Sequence, residues 1–331
     1  MRVLVTGGAG YIGSFATSAL QKAGHDVAVY DNLCFGHREA VDGDLIVGDV
    51  ADTEALDACL ESGAYDAIMH FAAFIEAGES MKDAGRFFQN NTANAVNLLN
   101  AAVRHGIRQF VFSSTAAVYA DGLPVPIKES DPTLPANVYG ETKLLVERML
   151  RWYDLVHGIR SVSMRYFNAT GAELDGSRGQ DHEPATHLIT RAVKAALGQH
   201  DFTLFGDNYP TPDGTCIRDY IHVLDLASAH VVALDHLAAG GASDVFNVGA
   251  GKGHSNWEVV KTVKRISGSD FPVEIGPRRP GDPSELVADS TKLQRMLGWK
   301  PECSDLDTIV GSAWEWHRTH PHGYGAVSYE P

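Results

Sequence analysis

Cysteine is scarce in this chain, with four among 331 residues. They stand at Cys34, Cys59, Cys216 and Cys303, and none forms a Cys-x-x-Cys pair. A chain of this length buries enough core to do without disulfide staples, so a reduced cytoplasm is the expected location. Basic charge is also short. Against 27 Lys and Arg stand 42 Asp and Glu, a formal net charge of −15, so no nucleic-acid partner is expected. No apolar run approaches the roughly 20 residues of a membrane helix, and no membrane association is expected. The opening MRVLVTGG reads as a buried strand entering a glycine loop, not as a secretory leader. Internal repeats and low-complexity segments are lacking. Fifteen histidines are present, the tightest group being His317, His320 and His322. Without acidic or cysteine co-ligands at zinc-like spacing, no metal site is expected there.

What is present is an alternation. Apolar runs at 2–6, 26–30, 45–47, 67–71, 110–113 and 161–165 read as strands buried on both faces. Helical stretches at 12–23, 53–61, 87–105 and 138–157 separate them, several stopped by glycine (Gly24, Gly106, Gly158). This pattern predicts an α/β fold with a doubly wound parallel sheet (Rossmann). Beyond Asn168 the pattern changes. A polar loop covers 171–183, helices are predicted at 186–197 and from a Ser255/Glu258 capping box to 266, a basic proline-rich loop covers 277–283, and a last helix spans 306–319. These pieces predict a second, smaller α/β substrate domain over 169–331 beside a nucleotide-binding domain over 1–168. The stretch 211–240 is expected to pack back onto the first domain.

The loop Thr6-Gly7-Gly8-Ala9-Gly10-Tyr11-Ile12-Gly13 lies between the first strand and the first helix. Gly7 permits the tight turn, Gly10 lets backbone approach a phosphate, and Gly13 lets the helix pack close to the sheet. The free N–H groups of the helix then face a pyrophosphate. Asp31 ends the second strand about 20 residues further on, where a carboxylate accepts from a ribose 2′-OH and repels a 2′-phosphate. That selects NAD over NADP; as a bland alternative, Asp31 caps a turn. A second glycine cluster, Gly249-Ala250-Gly251-Lys252-Gly253, is not a P-loop, because Phe246 stands where the leading glycine is required. It reads as a turn.

Tyr139 and Lys143 are four apart at the start of a helical stretch, hence on one face. A nearby cation lowers a tyrosine pKa by roughly 1–3 units, so the pair could act as a tuned acid/base. The strand ending Ser113-Ser114-Thr115 precedes it, and chemistry in such sheets gathers beyond the C-terminal strand ends. Thr115 could there share a substrate hydroxyl, or simply serve turn chemistry.

These residues resemble the extended short-chain dehydrogenase/reductase family, and within it the UDP-glucose 4-epimerases. The resemblance runs nearly end to end. It rests on TGGAGYIG, YDNL (from Tyr30), HFAA (from His70) with GES (from Gly78), SSTAAVY (from Ser113), YGETK (from Tyr139), RYFNATGA (from Arg165), FGDNYPTPDGTCIRDYIHVLDLA (from Phe205) and RRPGD (from Arg278). It implies NAD-dependent interconversion of UDP-glucose and UDP-galactose. The hydride leaves C4 of the hexose for NAD, the 4-keto sugar turns, and the hydride returns to the other face. Tyr139 would move the hydroxyl proton, Lys143 would lower the tyrosine pKa and hold the nicotinamide ribose, and Thr115 would bond the 4-oxygen.

The resemblance implies further cofactor contacts at Tyr11, Ile12, Asn32, Leu33, Cys34, Phe35, Gly36, Asp49, Val50, Phe71, Ala72, Ala73, Asn90, Ser113 and Phe167. It implies substrate contacts at Asn168, His187, Leu188, Thr203, Leu204, Phe205, Arg218, Tyr220, Arg279, Asp282 and Leu286, the arginines suiting a diphosphate. Three positions depart from the family pattern. Ile75 replaces a cofactor-side lysine of some members, His187 replaces an asparagine, and Leu286 holds the position that gates the hexose C2 substituent. Leucine there leaves a UDP-N-acetylhexosamine or UDP-pentose as alternative substrates. Ala116 and Ala117 stand where a sugar-nucleotide dehydratase carries an acid/base pair. A homodimer is also implied, pairing the helices at 87–105 and 138–157.

Overall fold

The computed structural model describes residues 1–279 and 282–325. Pro280 and Gly281 of the RRPGD motif, and positions 326–331 of the predicted second domain, lie outside the described residues.

Six strands come first: β1 (Arg2–Thr6), β2 (Asp26–Asp31), β3 (Asp44–Val47), β4 (Ala67–His70), β5 (Gln109–Thr115) and β6 (Arg160–Tyr166). Seven more follow: β7 (Asn168–Thr170), β8 (Thr203–Phe205), β9 (Ile217–His222), β10 (Asp244–Val248), β11 (Gly253–Ser255), β12 (Glu274–Gly276) and β13 (Glu285–Leu286). The first six and β10 form one sheet in the order β10-β6-β5-β4-β1-β2-β3, every pairing parallel. The strand order reverses between β1 and β4, which is where an open α/β sheet holds its ligand. The predicted parallel sheet is therefore present, and β10 is a late return of the chain to its edge.

The helices are α1 (Tyr11–Lys22), α2 (Thr53–Gly63), α3 (Ala77–Ser80), α4 (Ala84–Phe87), α5 (Asn94–Arg104) and α6 (Val138–His157). Beyond these lie α7 (Leu188–Ala196), α8 (Val223–Ala238), α9 (Asn256–Ser267), α10 (Thr291–Leu297) and α11 (Leu306–Thr319). One sheet face buries Val3, Val5, Val29 and Met69 under α1 and α8, with Leu226, Leu234 and Leu237 contributed by α8. The other face buries Leu4, Ile68 and Phe110 under α2, α5 and α6. On this face α8 packs against α1. A third core, under α7, α9 and α11, encloses Val193, Leu204, Val260 and Val310. A smaller sheet, β11-β9-β13 with β7 beside β9, lies in this second layer.

Local chemistry explains most of the ends. Asn137 caps α6 by accepting from Gly140 N at 2.9 Å, and Gly158 ends it at φ 70°. The capping box at α9 is closed in both directions, at 2.7 and 3.1 Å. The predicted helix over 87–105 differs from what forms. Phe88–Ala93 opens into a wider π-helical turn between α4 and α5. The cause is Asn91, whose side chain accepts from Phe74 N and donates to Phe74 O and Thr142 Oγ1. That turn places Asn90 in the cleft described below.

Candidate active site

The loop after β1 is built by exclusion. Gly7 has φ +75°, and a Cβ there would lie 2.4 Å from Ala72 N. A Cβ on Gly13 would lie 2.2 Å from Gly7 O. Gly10 meets nothing nearer than 3.4 Å, so its open side faces the cleft. Gly10 supplies no side-chain cap, which leaves the first N–H groups of α1 for a ligand.

Asp31 caps the turn that follows β2 and lines the cleft. Its carboxylate accepts from Ala9 N at 2.9 Å and Leu33 N at 2.8 Å, holding Leu33 at φ 61°. Burial raises its pKa, and the two N–H donors oppose that rise. Each oxygen keeps a lone pair for a ribose hydroxyl.

A cleft at the switch point is lined by Gly7, Gly10, Asp31, Asn32, Cys34, Phe35, Gly36, Asp49, Val50, Phe71, Ala72, Ala73 and Asn90, all sequence-expected. It is also lined by Tyr30, Gly48, His70, Phe74 and Asn94, which the sequence reading missed. Gly48 carries a legible signal: a Cβ there would strike the Tyr30 ring at 2.5 Å. Tyr11, Ile12, Gly13 and Leu33 lie outside this lining. The Tyr11 hydroxyl instead donates to Gly171 O at 2.6 Å and ties α1 to the second layer.

Ser113, Thr115, Tyr139 and Lys143 gather at the C-terminal end of β5. Gly140 makes this possible, because a Cβ there would sit 2.2 Å from Ala117 O. The N-terminus of α6 therefore packs directly on the turn after β5. Thr115 stands beside Tyr139 and favours its ionised form, while Thr115 Oγ1 accepts from Ala117 N at 3.2 Å. Ser80 Oγ accepts from Tyr139 N at 3.1 Å.

Lys143 does not behave as the spacing alone predicts. Its Nζ donates to Ser113 O at 2.8 Å and lies 5.0 Å from the centre of the Phe112 ring. Burial pushes its pKa down to about 7. Tyr139 is raised to about 12, by burial first, with Thr115 opposing and the Glu76 charge adding to the rise. The low dielectric of the site penalises both charged forms, so the expected lowering of Tyr139 by Lys143 is absent in this state. His70, stacked on Phe112, is held near 3 by burial and by Lys143. That contact joins the tyrosine cluster to the cleft.

On the substrate side, strand alternation turns Leu204 into the third core between Thr203 and Phe205. Tyr220 is packed in the same core, which Leu188 flanks. Asn168 Nδ2 donates to Asp219 O at 3.0 Å, and Phe167 is buried with Ala116, Val118 and Leu144. Arg218 faces Asp282 at 3.8 Å and not Asp219. His187 caps nothing; it is hydrogen-bonded to Gln180 at 3.0 Å and held near 4 by burial and the neighbouring His182. Arg279 lies 4.2 Å from the centre of the Phe205 ring, and Arg191, missed from sequence, lies 5.5 Å from it. Among the described residues neither guanidinium has a carboxylate partner within 4.0 Å. Two such forks around one ring suit a diphosphate.

The glycine cluster is a turn over 249–252, as predicted, and Gly253 opens β11. Ala250 N and Gly251 N donate to the Asp219 carboxylate at 2.8 and 3.0 Å, so a protein carboxylate takes the place of any phosphate. No group of described residues could hold a metal ion.

Residues 3–249 match the NAD dependent epimerase/dehydratase family. A UDP-glucose 4-epimerase of Lacticaseibacillus casei is 47% identical over 328 residues, 98% of this chain and 99% of that protein. The chain belongs to the NAD dependent epimerase/dehydratase family, among the UDP-glucose 4-epimerases. Within this family the crystal structure of UDP-glucose 4-epimerase from Brucella ovis in complex with NAD superposes with a TM-score of 0.92. It is 44% identical and covers 95% of this chain and 97% of that one. The UDP-Glc/GlcNAc 4-epimerase from Campylobacter jejuni gives 0.85, at 41% identity over 96% and 99% of the two chains. Between the two chemistries in the family name, the turn after Thr115 favours epimerisation. Ala116 and Ala117 form a buried-to-half-buried 3-10 turn with no acid/base side chain to offer.

Proposed function

We infer that the protein interconverts UDP-glucose and UDP-galactose with NAD, by oxidation at C4 and re-reduction on the opposite face. The observation that carries this is the gathering of Thr115, Tyr139 and Lys143 at the end of β5, beside a switch-point cleft lined by Gly7, Gly10 and Asp31. Asp31 and the glycine loop would hold the adenosine and pyrophosphate, and Lys143 the nicotinamide ribose. Bound NAD supplies the hydride acceptor and donor and, when oxidised, a positive charge that favours the phenolate of Tyr139. Tyr139 takes the proton of the 4-hydroxyl and returns it after the keto sugar has turned. Thr115 holds the 4-oxygen during both transfers. Arg191, Arg218 and Arg279 would take the diphosphate, with Asn168, His187, Phe205 and Asp282 around the nucleotide and sugar.

Leu286 packs against the cluster of Ala116, Val118 and Tyr119, beside the turn that follows Thr115. It therefore bounds the hexose side of the site, and its intermediate size favours some tolerance at C2. The purified protein is expected to carry NAD and to convert UDP-galactose to UDP-glucose without added reductant. A panel with UDP-N-acetylglucosamine and UDP-xylose sets its range. NAD-loaded protein that converts none of these defeats the reading.

The protein also acts as a homodimer in this reading. Trp152, Leu155 and Val156 form an exposed apolar stripe on α6, at the i, i+3, i+4 spacing of one helix face. Tyr153 binds α6 to α5 through Asn100 at 2.7 Å. A second copy would cover this face, and sedimentation should report two chains; a monomer rejects it. The four free thiols fit a cytoplasmic location.

A further inference from the structure

Residues 178–183, in the loop between β7 and α7, reach from the second layer to the rim of the cofactor cleft. They are held from two sides. On the sheet side Arg178 pairs with Asp42 and donates to Ser14 O at 3.0 Å, and His37 Nε2 lies 3.0 Å from Asp181 O. From the other side Trp316 Nε1 of α11 donates to Gln180 O at 3.1 Å. Tyr324 N donates to the Asp181 carboxylate at 2.9 Å, and the Tyr324 hydroxyl donates to Gly179 O at 3.1 Å. The next residue along this fixed arm is His182. Its ring packs on Phe35 at 5.3 Å, and its Nε2 lies 3.0 Å from Glu76 Oε1. Phe35 belongs to the loop after β2 and Glu76 to the loop after β4, on either side of the glycine loop that leaves β1. Phe35 and Phe74 both line the cleft and meet edge-on at 5.9 Å. The Glu76 wall is itself fixed: Ile75 N donates to the second carboxylate oxygen at 3.2 Å, and Phe74 N donates to Asn91 at 2.8 Å. His182 therefore joins the two walls, and with side chains 12% and 18% exposed its bond to Glu76 is screened less than a surface pair.

We propose that His182 is a latch on the cofactor cleft: bonded to Glu76 and packed on Phe35, it ties the two walls together, and NAD exchanges when that bridge opens. Asp31 and Gly10, which would hold the dinucleotide, line the same cleft as Phe35 and Phe74. A bridge between protein walls acts differently from a contact to the ligand. It raises the barrier to passage in both directions, so uptake and release are slowed alike and affinity stays nearly the same. A contact to the ligand slows release and leaves uptake almost untouched. The latch thus makes NAD a resident group on kinetic grounds, in keeping with a cofactor that is restored at each turnover.

The test follows NAD itself and needs no sugar substrate, so the latch and the functional reading stand or fall separately. Protein loaded with isotope-labelled NAD is chased with unlabelled NAD for the release rate. Equilibrium dialysis gives Kd, and the release rate divided by Kd gives the uptake rate. His182→Leu keeps an apolar side chain against Phe35 and removes the bond; Glu76→Ala removes the same bond from the other wall. Each should speed release about tenfold, the lower end of what a hydrogen bond to a charged group is worth, with Kd nearly unchanged. The double variant should be no faster than the faster single one, because one bond is lost in all three. His182→Gln keeps an N–H for Glu76 and should recover most of the slow release. If Glu76→Ala does not fold, the two His182 variants decide. Release unchanged in His182→Leu overturns the proposal. Release and Kd rising together with uptake unmoved also overturns it, since that is the signature of a ligand contact.

Discussion

Tyr139→Phe should keep the protein folded and loaded with NAD while turnover falls about 10²–10⁴-fold, the usual worth of one positioned acid/base. The substitution removes only the hydroxyl. The ring remains in its half-buried site, and the main-chain bond to Ser80 and the start of α6 are untouched. Thr115 keeps its bond from Ala117 N. The loss should fall on kcat more than on KM, because the proton is shared only in the transition state. Turnover of UDP-galactose, bound NAD and circular dichroism together check this. Unchanged turnover would take Tyr139 out of the mechanism.

The second large effect is structural. Glu147 on α6 and Arg165 on β6 form an ion pair at 2.6 Å, with side chains only 6% and 7% exposed. Glu147 also accepts from Ser114 Oγ at 2.5 Å, one residue from Thr115. Arg165 continues to the Tyr119 hydroxyl at 3.1 Å, and Tyr119 donates to Asn247 at 2.6 Å. The network joins α6, β5, β6 and β10 beneath the tyrosine cluster. Glu147→Leu leaves the guanidinium buried without its anion, and should lower unfolding free energy by about 3–5 kcal/mol. Glu147→Leu with Arg165→Met should lose much less, since no charge then remains unpaired. Urea unfolding of the two variants separates the cases. Equal losses would mean that packing, not the uncompensated charge, carries the effect.

Much of the site was legible because its requirements are local. A positive φ and a backbone contact at 2.4 Å admit only glycine at Gly7, so the loop announces itself in sequence. Asp31 follows at the end of a strand whose length is set by its own apolar run. Tyr139 and Lys143 share a face because an α-helix repeats every 3.6 residues. The alternation of strands and helices was enough for the parallel sheet.

Other features depended on contacts the chain makes far from itself. The wide turn at Phe88–Ala93 exists because Asn91 reaches Phe74 and Thr142. Arg191 and Arg279 meet at Phe205 only once α7 has packed on the second layer. Glu76 and His182 belong to segments with no shared motif. Even the tyrosine–lysine pair was half told. Spacing determined that both side chains leave one face of α6. Burial against β5 decided that Lys143 turns to Ser113 O and that Tyr139 turns to Thr115. Sequence by itself determined most of the elements, the glycine loop and the shared helix face of Tyr139 and Lys143, since each follows from backbone freedom or helical period. Only the tertiary structure decided their partners and charge states, because desolvation and hydrogen bonding belong to the packed molecule.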